Sequence, residues 1–223
     1  MPTGLFLDYV DPWINWDWLS RHIPVVTAAL VQHIELTAIA VGAGLVIAIP
    51  LGVVAQRRRV LRSSIFTVFD IFYTIPSIAV FVFLIPYTGL TALTAEVALV
   101  GYAVLILARN VMVGLDAVPK DVIDAADGMG YRPFARLVRV ELPLAMPTIF
   151  AGLRIATVTT IGLVTVAALI GWGGLGQLIL QGFIQSFHTP LVVGMVLSIA
   201  LAFVADIGLA GIQRLALPWS RSG

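Results

Sequence analysis

The sequence predicts an all-α protein, a polytopic membrane helical bundle with five transmembrane helices, six being the alternative count. Three observations carry this expectation. Charged residues make up 11% and hydrophobic residues 60% of the 223 positions, with a mean hydropathy of +1.02, whereas a soluble domain carries about a quarter charged residues. Five apolar runs reach the roughly 20 residues needed to cross a bilayer. The basic residues gather on one side of the resulting threading, as the positive-inside rule requires.

The opening stretch, MPTGLFLDYVDPWINWDWLS, lacks the basic head and apolar run of a secretory signal, so no removal is expected. Residues 1–32 are read as an extracytoplasmic or interfacial segment. Trp13, Trp16 and Trp18, mixed with Asp11 and Asp17, suit a membrane interface; they suit equally an N-terminal helix packed onto the bundle. Trp18–Gln32 is amphipathic and interrupted by Pro24, which predicts an interfacial helix, or the sixth span. The transmembrane domain is placed at 33–214, with a cytoplasmic tail at 215–223. Its spans are Leu36–Ala55 (with a start as early as His33), Ile65–Tyr87, Thr91–Val113, Thr148–Ile170 and Leu191–Ile212.

Orientation follows from Lys and Arg. With the N-terminus outside, Arg57, Arg58, Arg59, Arg62, Lys120, Arg132, Arg136, Arg139, Arg214 and Arg221 fall in the cytoplasm. Arg109 and Arg154 lie close enough to that face to snorkel. Of the 13 basic residues only Arg21 is left outside.

The long polar loop at 114–147 is therefore cytoplasmic. Pro119 suits the first position of a helix, and Asp121 and Asp124 place negative charge near its positive dipole end. Gly128 and Gly130 offer exits from that helix. Pro133 opens a second helix and Pro143 is expected to end it. On the second helix Phe134, Leu137, Val138 and Glu141 share one face and Arg132, Arg136 and Arg139 take the others. On the first, Val122, Ala126 and Met129 share a face, with Ala125 beside them. Such a hairpin suits docking into a groove of another protein; an ordinary solvated loop fits the same pattern.

Spacing separates the two. Asp124-Ala125-Ala126 is followed after three residues by Gly130, and nine residues later by Val140, Glu141, Leu142 and Pro143. This resembles the signature of binding-protein-dependent ABC importer permeases: Glu-Ala-Ala, three residues, Gly, nine residues, Ile, any residue, Leu-Pro. Asp stands for Glu and Val for Ile. YTIPSIAVFVFLIP, ARNVMVGLDAVP and GLRIATVTTIGLVTVAALIGWGGLGQLI extend the resemblance from about Leu36 to Arg214, most closely to the osmoprotectant branch serving glycine betaine, choline and carnitine. The methionine and phosphonate branches share the loop and the Gly-rich stretch. The resemblance implies an inner-membrane permease subunit, with Asp124, Ala125, Ala126, Gly130, Val140, Leu142 and Pro143 forming a coupling loop that docks an ATPase. It also implies an extracytoplasmic substrate-binding protein and a second permease, identical or related, about a two-fold axis. Lipid is the remaining partner, and a net charge of +1 gives no basic field for nucleic acid.

No catalytic role, cofactor or metal is expected in this chain. Lys120, the one lysine, sits in VPKDV rather than in a phosphate-binding loop, so ATP and Mg belong on the partner. Gly171, Gly173 and Gly176 in GWGGLG fit G-x-G-x-x-G, but that pattern needs a strand before it; a tight turn outside the fourth span is the expectation. His22, His33 and His188 have no metal-ligand spacing, and cysteine is absent.

Asp70, Glu96, Arg109, Arg154 and Asp206 all lie near span ends. Asp70, Arg109, Arg154 and Asp206 approach the same face, which suits interhelical pairing or gating. Pro76 should free backbone carbonyls in the second span. Phe69, Phe72 and Tyr73 before it are candidates for a translocation path offering cation–π contacts, or for core packing. A gradient-driven carrier and an intramembrane enzyme are the competing readings; the first lacks a midplane carboxylate and the second a ligand set.

Overall fold

The computed structural model describes residues 12–218, so Asp11 and Arg221, used above, lie outside the described residues, as do the ends of the segments 1–32 and 215–223. Among the described residues every regular element is helical. Four helices are long and apolar enough to cross a membrane, and a fifth crossing is formed if a helix pair bent by 96° counts as one broken span.

A short helix α1 (Trp16–Arg21), N-capped by the Asn15 side chain on the Trp18 amide at 2.9 Å, leads at His22 into α2 (Ile23–Arg57). The expected break at Pro24 is absent. Proline in the first turn costs no hydrogen bond, so the chain turns two residues earlier, at His22, and Pro24 lies in the first turn of the long helix. The boundary drawn between residues 32 and 33 thus falls inside α2, which at roughly 50 Å projects beyond a core of about 30 Å. Trp18 stacks on His22 at 4.3 Å and meets the Phe187 ring edge-on at 5.5 Å, packing α1 on the bundle, while Trp13 and Trp16 remain 71% exposed.

The second span is α3 (Arg59–Thr74) and α4 (Ser77–Thr88), broken at Ile75–Pro76. Proline has no amide hydrogen and forces its predecessor into extended backbone; Ile75 obeys at φ −71°, ψ 127°. The Tyr102 hydroxyl donates to the freed Ile75 carbonyl at 2.8 Å.

At the centre is α5 (Ala92–Asp116), packed between α2 and α8 (Leu142–Val166). Its buried stripe alternates small and large residues, including Ala95, Leu99, Ala103, Leu107, Val111 and Leu115. Close approach is built from glycine: a Cβ at Gly52 would stand 2.6 Å from Cβ of Val111, and one at Gly152 would stand 2.3 Å from Cβ of Asn110. Small residues of this kind let membrane helices gain van der Waals contact where water supplies no driving force.

Beyond α8 a 3₁₀ turn (Ala167–Ile170) and the Gly-rich turn lead to α9 (Leu175–Ile184), a ten-residue helix too short to cross, which packs on α10 (His188–Ala216). Val26, Leu175 and Leu178 form the small core beneath it.

Candidate functional site

The loop at 114–147 folds as a helical hairpin. Pro119 caps α6 (Lys120–Gly128) rather than entering it. The helix closes in a Schellman arrangement: Tyr131 N donates to the Ala126 carbonyl at 3.1 Å and Gly130 N to that of Asp127 at 2.9 Å. Gly130 has φ +81°, a conformation that glycine adopts cheaply. Gly128, by contrast, stays helical.

Pro133 opens the one-turn α7 (Pro133–Arg136) as its sequence position predicts, but Pro143 ends nothing. Residues Leu137–Glu141 form a π turn and the chain runs on into α8. The wider turn takes the Leu142 amide to the Leu137 carbonyl and relieves the clash a proline makes in a regular helix. Prolines 143 and 147 therefore sit inside one continuous rod.

Ion pairs fix this hairpin to the first span. Glu141, 4% exposed, accepts from Arg136 Nε at 2.8 Å and lies 3.7 Å from Arg57 Nη2. Arg136 also holds Asp127, and Arg57 donates to the Pro133 carbonyl at 3.3 Å. Arg62 pairs with Asp116 at 2.9 Å across the neighbouring helix ends. Leu137 plugs a core with Val111, Leu115, Ala145 and Ile149.

The predicted docking residues divide. Asp124, Ala125 and Gly130 are exposed, and Val140, Leu142 and Pro143 are half-buried. Ala126, 1% exposed, is turned into its own chain. The tip is carried instead by Met129 and Phe134, 71% and 76% exposed. Apolar side chains projecting from a polar hairpin mark a surface made to be covered. Sequence reading missed the anchoring by Glu141; the available signal was a lone carboxylate on an otherwise apolar helix face.

Within the membrane, Arg109 bonds Asp70, and Arg154 grips Asp206 through two parallel bonds of 2.8 and 2.7 Å. Phe69, Asp70, Tyr73 and Arg109 share a cleft of about 190 Å³. Phe72 turns away to Tyr102, ring centroids 5.4 Å apart, and Pro76 sits at the bend without lining that cleft.

At the opposite end of the bundle, GWGGLG is a turn with φ of +89° at Gly171 and +51° at Gly174. Gly174 N donates to Gln32 Oε1 at 2.9 Å. The buried His33 ring links this turn to α8: Leu175 N donates to Nδ1 at 3.3 Å, and Nε2 lies 3.1 Å from the Ile161 carbonyl. That pattern fixes the neutral, Nε2-protonated tautomer. Among the described residues no group of three or more His, Asp or Glu is placed to hold a metal.

The family described as binding-protein-dependent transport system inner membrane component matches residues 40–216. The chain is 38% identical to the choline transport system permease protein OpuBB of Bacillus subtilis, covering 84% of this chain and 86% of that protein. It is also 38% identical to the osmoprotectant import permease protein OsmW of Salmonella typhimurium, over 84% and 89% of the two chains. Among solved structures, an inward-facing form of the MetNI methionine ABC transporter superposes with a TM-score of 0.80 at 27% identity. That match covers 87% of this chain and 97% of the other.

Proposed function

The chain belongs to the family of binding-protein-dependent transport system inner membrane components, and from that premise we propose that it carries an osmoprotectant such as glycine betaine, choline or carnitine inward across the cytoplasmic membrane. It is the transmembrane permease subunit of an ABC importer, a membrane part of a transport complex and not itself the catalyst. ATP and Mg act on a separate ATPase. An extracytoplasmic binding protein delivers the cargo to the end bearing the Gly-rich turn. The N-terminus lies outside and the C-terminus in the cytoplasm.

The observation that carries the drive mechanism is the hairpin at 114–147, with its exposed Met129 and Phe134 and its ionic tether to α2. Closure of an ATPase pair pushes two such hairpins together, one from each of two permeases, and the rigid rod from Pro133 to Ile170 transmits that movement into the span. Asp124, Ala125 and Gly130 face the ATPase, while Ala126, Val140, Leu142 and Pro143 hold the hairpin's shape. Arg154–Asp206 and Asp70–Arg109 keep neighbouring spans together as they move. Support for the cargo comes from the choline and osmoprotectant permeases that this chain resembles over most of its length.

The test is ATP-dependent uptake by the permease reconstituted with its ATPase and binding protein, with ion gradients collapsed. Labelled glycine betaine, choline or carnitine should accumulate and labelled methionine should not. Uptake that follows an ion gradient without ATP would leave the gradient-driven carrier standing instead.

A further inference from the structure

A groove of about 570 Å³ opens on the face formed by the outer half of α2, the start of α5 and the Gly-rich turn. Glu35 and Glu96 line it together with Trp172, and Val31, Leu36 and Ile39 supply an apolar wall. Both Glu96 carboxylate oxygens are buried, and neither has a hydrogen-bond partner within the chain. No Lys, Arg or His stands among the described lining residues. Glu35 is about 22 residues from Arg57, and Glu96 about 20 from Asp116, roughly 30 Å of helix in each case. Both carboxylates thus sit at the membrane boundary opposite the Arg57–Glu141 cluster.

A buried carboxylate without a donor is costly, and a cation entering beside it relieves that cost. The remaining wall is mostly aliphatic with one indole, and its other two oxygen-bearing side chains are engaged within the chain, Thr27 Oγ1 donating to the Ile23 carbonyl and Gln32 Oε1 accepting from Gly174 N, which suits a metal ion poorly. The Trp172 ring is held in place, Nε1 donating to the Leu90 carbonyl at 3.3 Å, and indole is the aromatic face that best attracts a cation. The complementary ligand is a cation wrapped in methyl groups. We propose that this groove is a transit site for a trimethylammonium head group, with Glu96 and Glu35 supplying charge and Trp172 and the aliphatic wall receiving the methyls. Naming the ligand as transported solute rests on the osmoprotectant reading; the binding chemistry does not.

The test is equilibrium dialysis of labelled tetramethylammonium against the permease copurified with its ATPase, without the binding protein, in phosphatidylethanolamine–phosphatidylglycerol vesicles. Saturable binding is expected, weakened at least about tenfold by Glu96→Gln and about threefold by Trp172→Leu, and changed less than about twofold by Glu96→Asp. Non-saturable binding, or equal binding by the wild type and Glu96→Gln, overturns the proposal. If Glu96→Gln fails to copurify with the ATPase, Trp172→Leu and Glu35→Gln decide: binding undiminished in both overturns the site. Adding phosphatidylcholine separates solute from lipid. Undisturbed binding leaves the groove to solute, and competition assigns it to a lipid head group and overturns the transit role. A complex that imports no methylated amine yet binds the probe through Glu96 loses its assigned cargo and keeps this site. One that imports osmoprotectants equally well as Glu96→Gln, with unchanged probe binding, keeps its cargo and loses the site.

Discussion

The two ends of this bundle are held together by opposite means. At one end a hairpin is tied to the first span by charged side chains, Arg136 and Arg57 converging on Glu141, while its apolar tip stands free. At the other end a Gly-rich turn is tied to the same helix by neutral hydrogen bonds to Gln32 and His33, with backbone packed against backbone. The contrast fits the roles proposed for the two ends. Long charged side chains hold a segment while letting it shift as a body, which suits an element that is pushed. Backbone contact at glycine tolerates almost no displacement, which suits a fixed frame beside an entry point.

The largest expected effect tests the rigid end. A Cβ on Gly174 would stand 2.6 Å from His33 Cβ and 2.7 Å from its backbone, at a φ already favouring glycine. Gly174→Ala should cost roughly 2–4 kcal/mol, read as a lower thermal midpoint and lower yield of assembled complex in detergent. A midpoint equal to the wild type would mean that the turn is as yielding as the hairpin.

Next comes the pushed end. Glu141→Ala leaves Arg136 Nε without its acceptor and Arg57 without its nearby carboxylate, a loss of about 1–3 kcal/mol. Its signature should be functional: ATP hydrolysis continues while uptake per ATP falls severalfold. Glu141→Gln, which keeps an acceptor, should lose less. Loss of hydrolysis and uptake in equal measure would point to misfolding rather than slipped transmission.

Two glycines two residues apart sharpen the contrast further. Gly130→Ala should cost about 1 kcal/mol for its left-handed backbone. Gly128→Ala, helical and open on all sides within the chain, should be neutral or stabilising by up to about 1 kcal/mol. Gly128→Trp should leave the isolated permease as stable as the wild type and still abolish copurification with the ATPase, because its surroundings fill only on docking. The smallest effect belongs to Arg62→Ala: its pair with Asp116 is exposed at both partners, so a change of no more than about 1 kcal/mol is expected.

Much of this architecture was legible in the sequence, for physical reasons that also explain the gaps. Apolar runs bounded by arginine mark spans because the bilayer sets their length; Gly130 marks the hairpin because few residues tolerate its left-handed backbone, and Pro133 because its fixed φ suits the first position of a helix. Pro24 misled because a first-turn proline starts a helix as readily as an inner one breaks it. Pro143 misled because a π turn absorbs the clash. At Pro76 the break was foreseeable, but neither its 96° angle nor the Tyr102 hydroxyl that meets the Ile75 carbonyl from 27 residues away could be read from local sequence. α9 is too short to register as a span. Ala126 and Glu141 share a lesson: spacing tells which residues lie on one face, and tertiary contact alone tells whether that face turns toward a partner or toward the chain itself.

On the proposed function, force from a separate ATPase enters through the hairpin at 114–147. The chain has no cysteine, so Met129→Cys can carry a single photo-cross-linker without background labelling. Irradiated in the assembled importer, it should join the permease to the ATPase, with a yield that changes on ATP binding, while Val204→Cys on α10 joins nothing of that size. Labelling of Met129→Cys by a membrane-impermeant reagent added to intact cells, or the absence of any ATPase cross-link, would contradict the account.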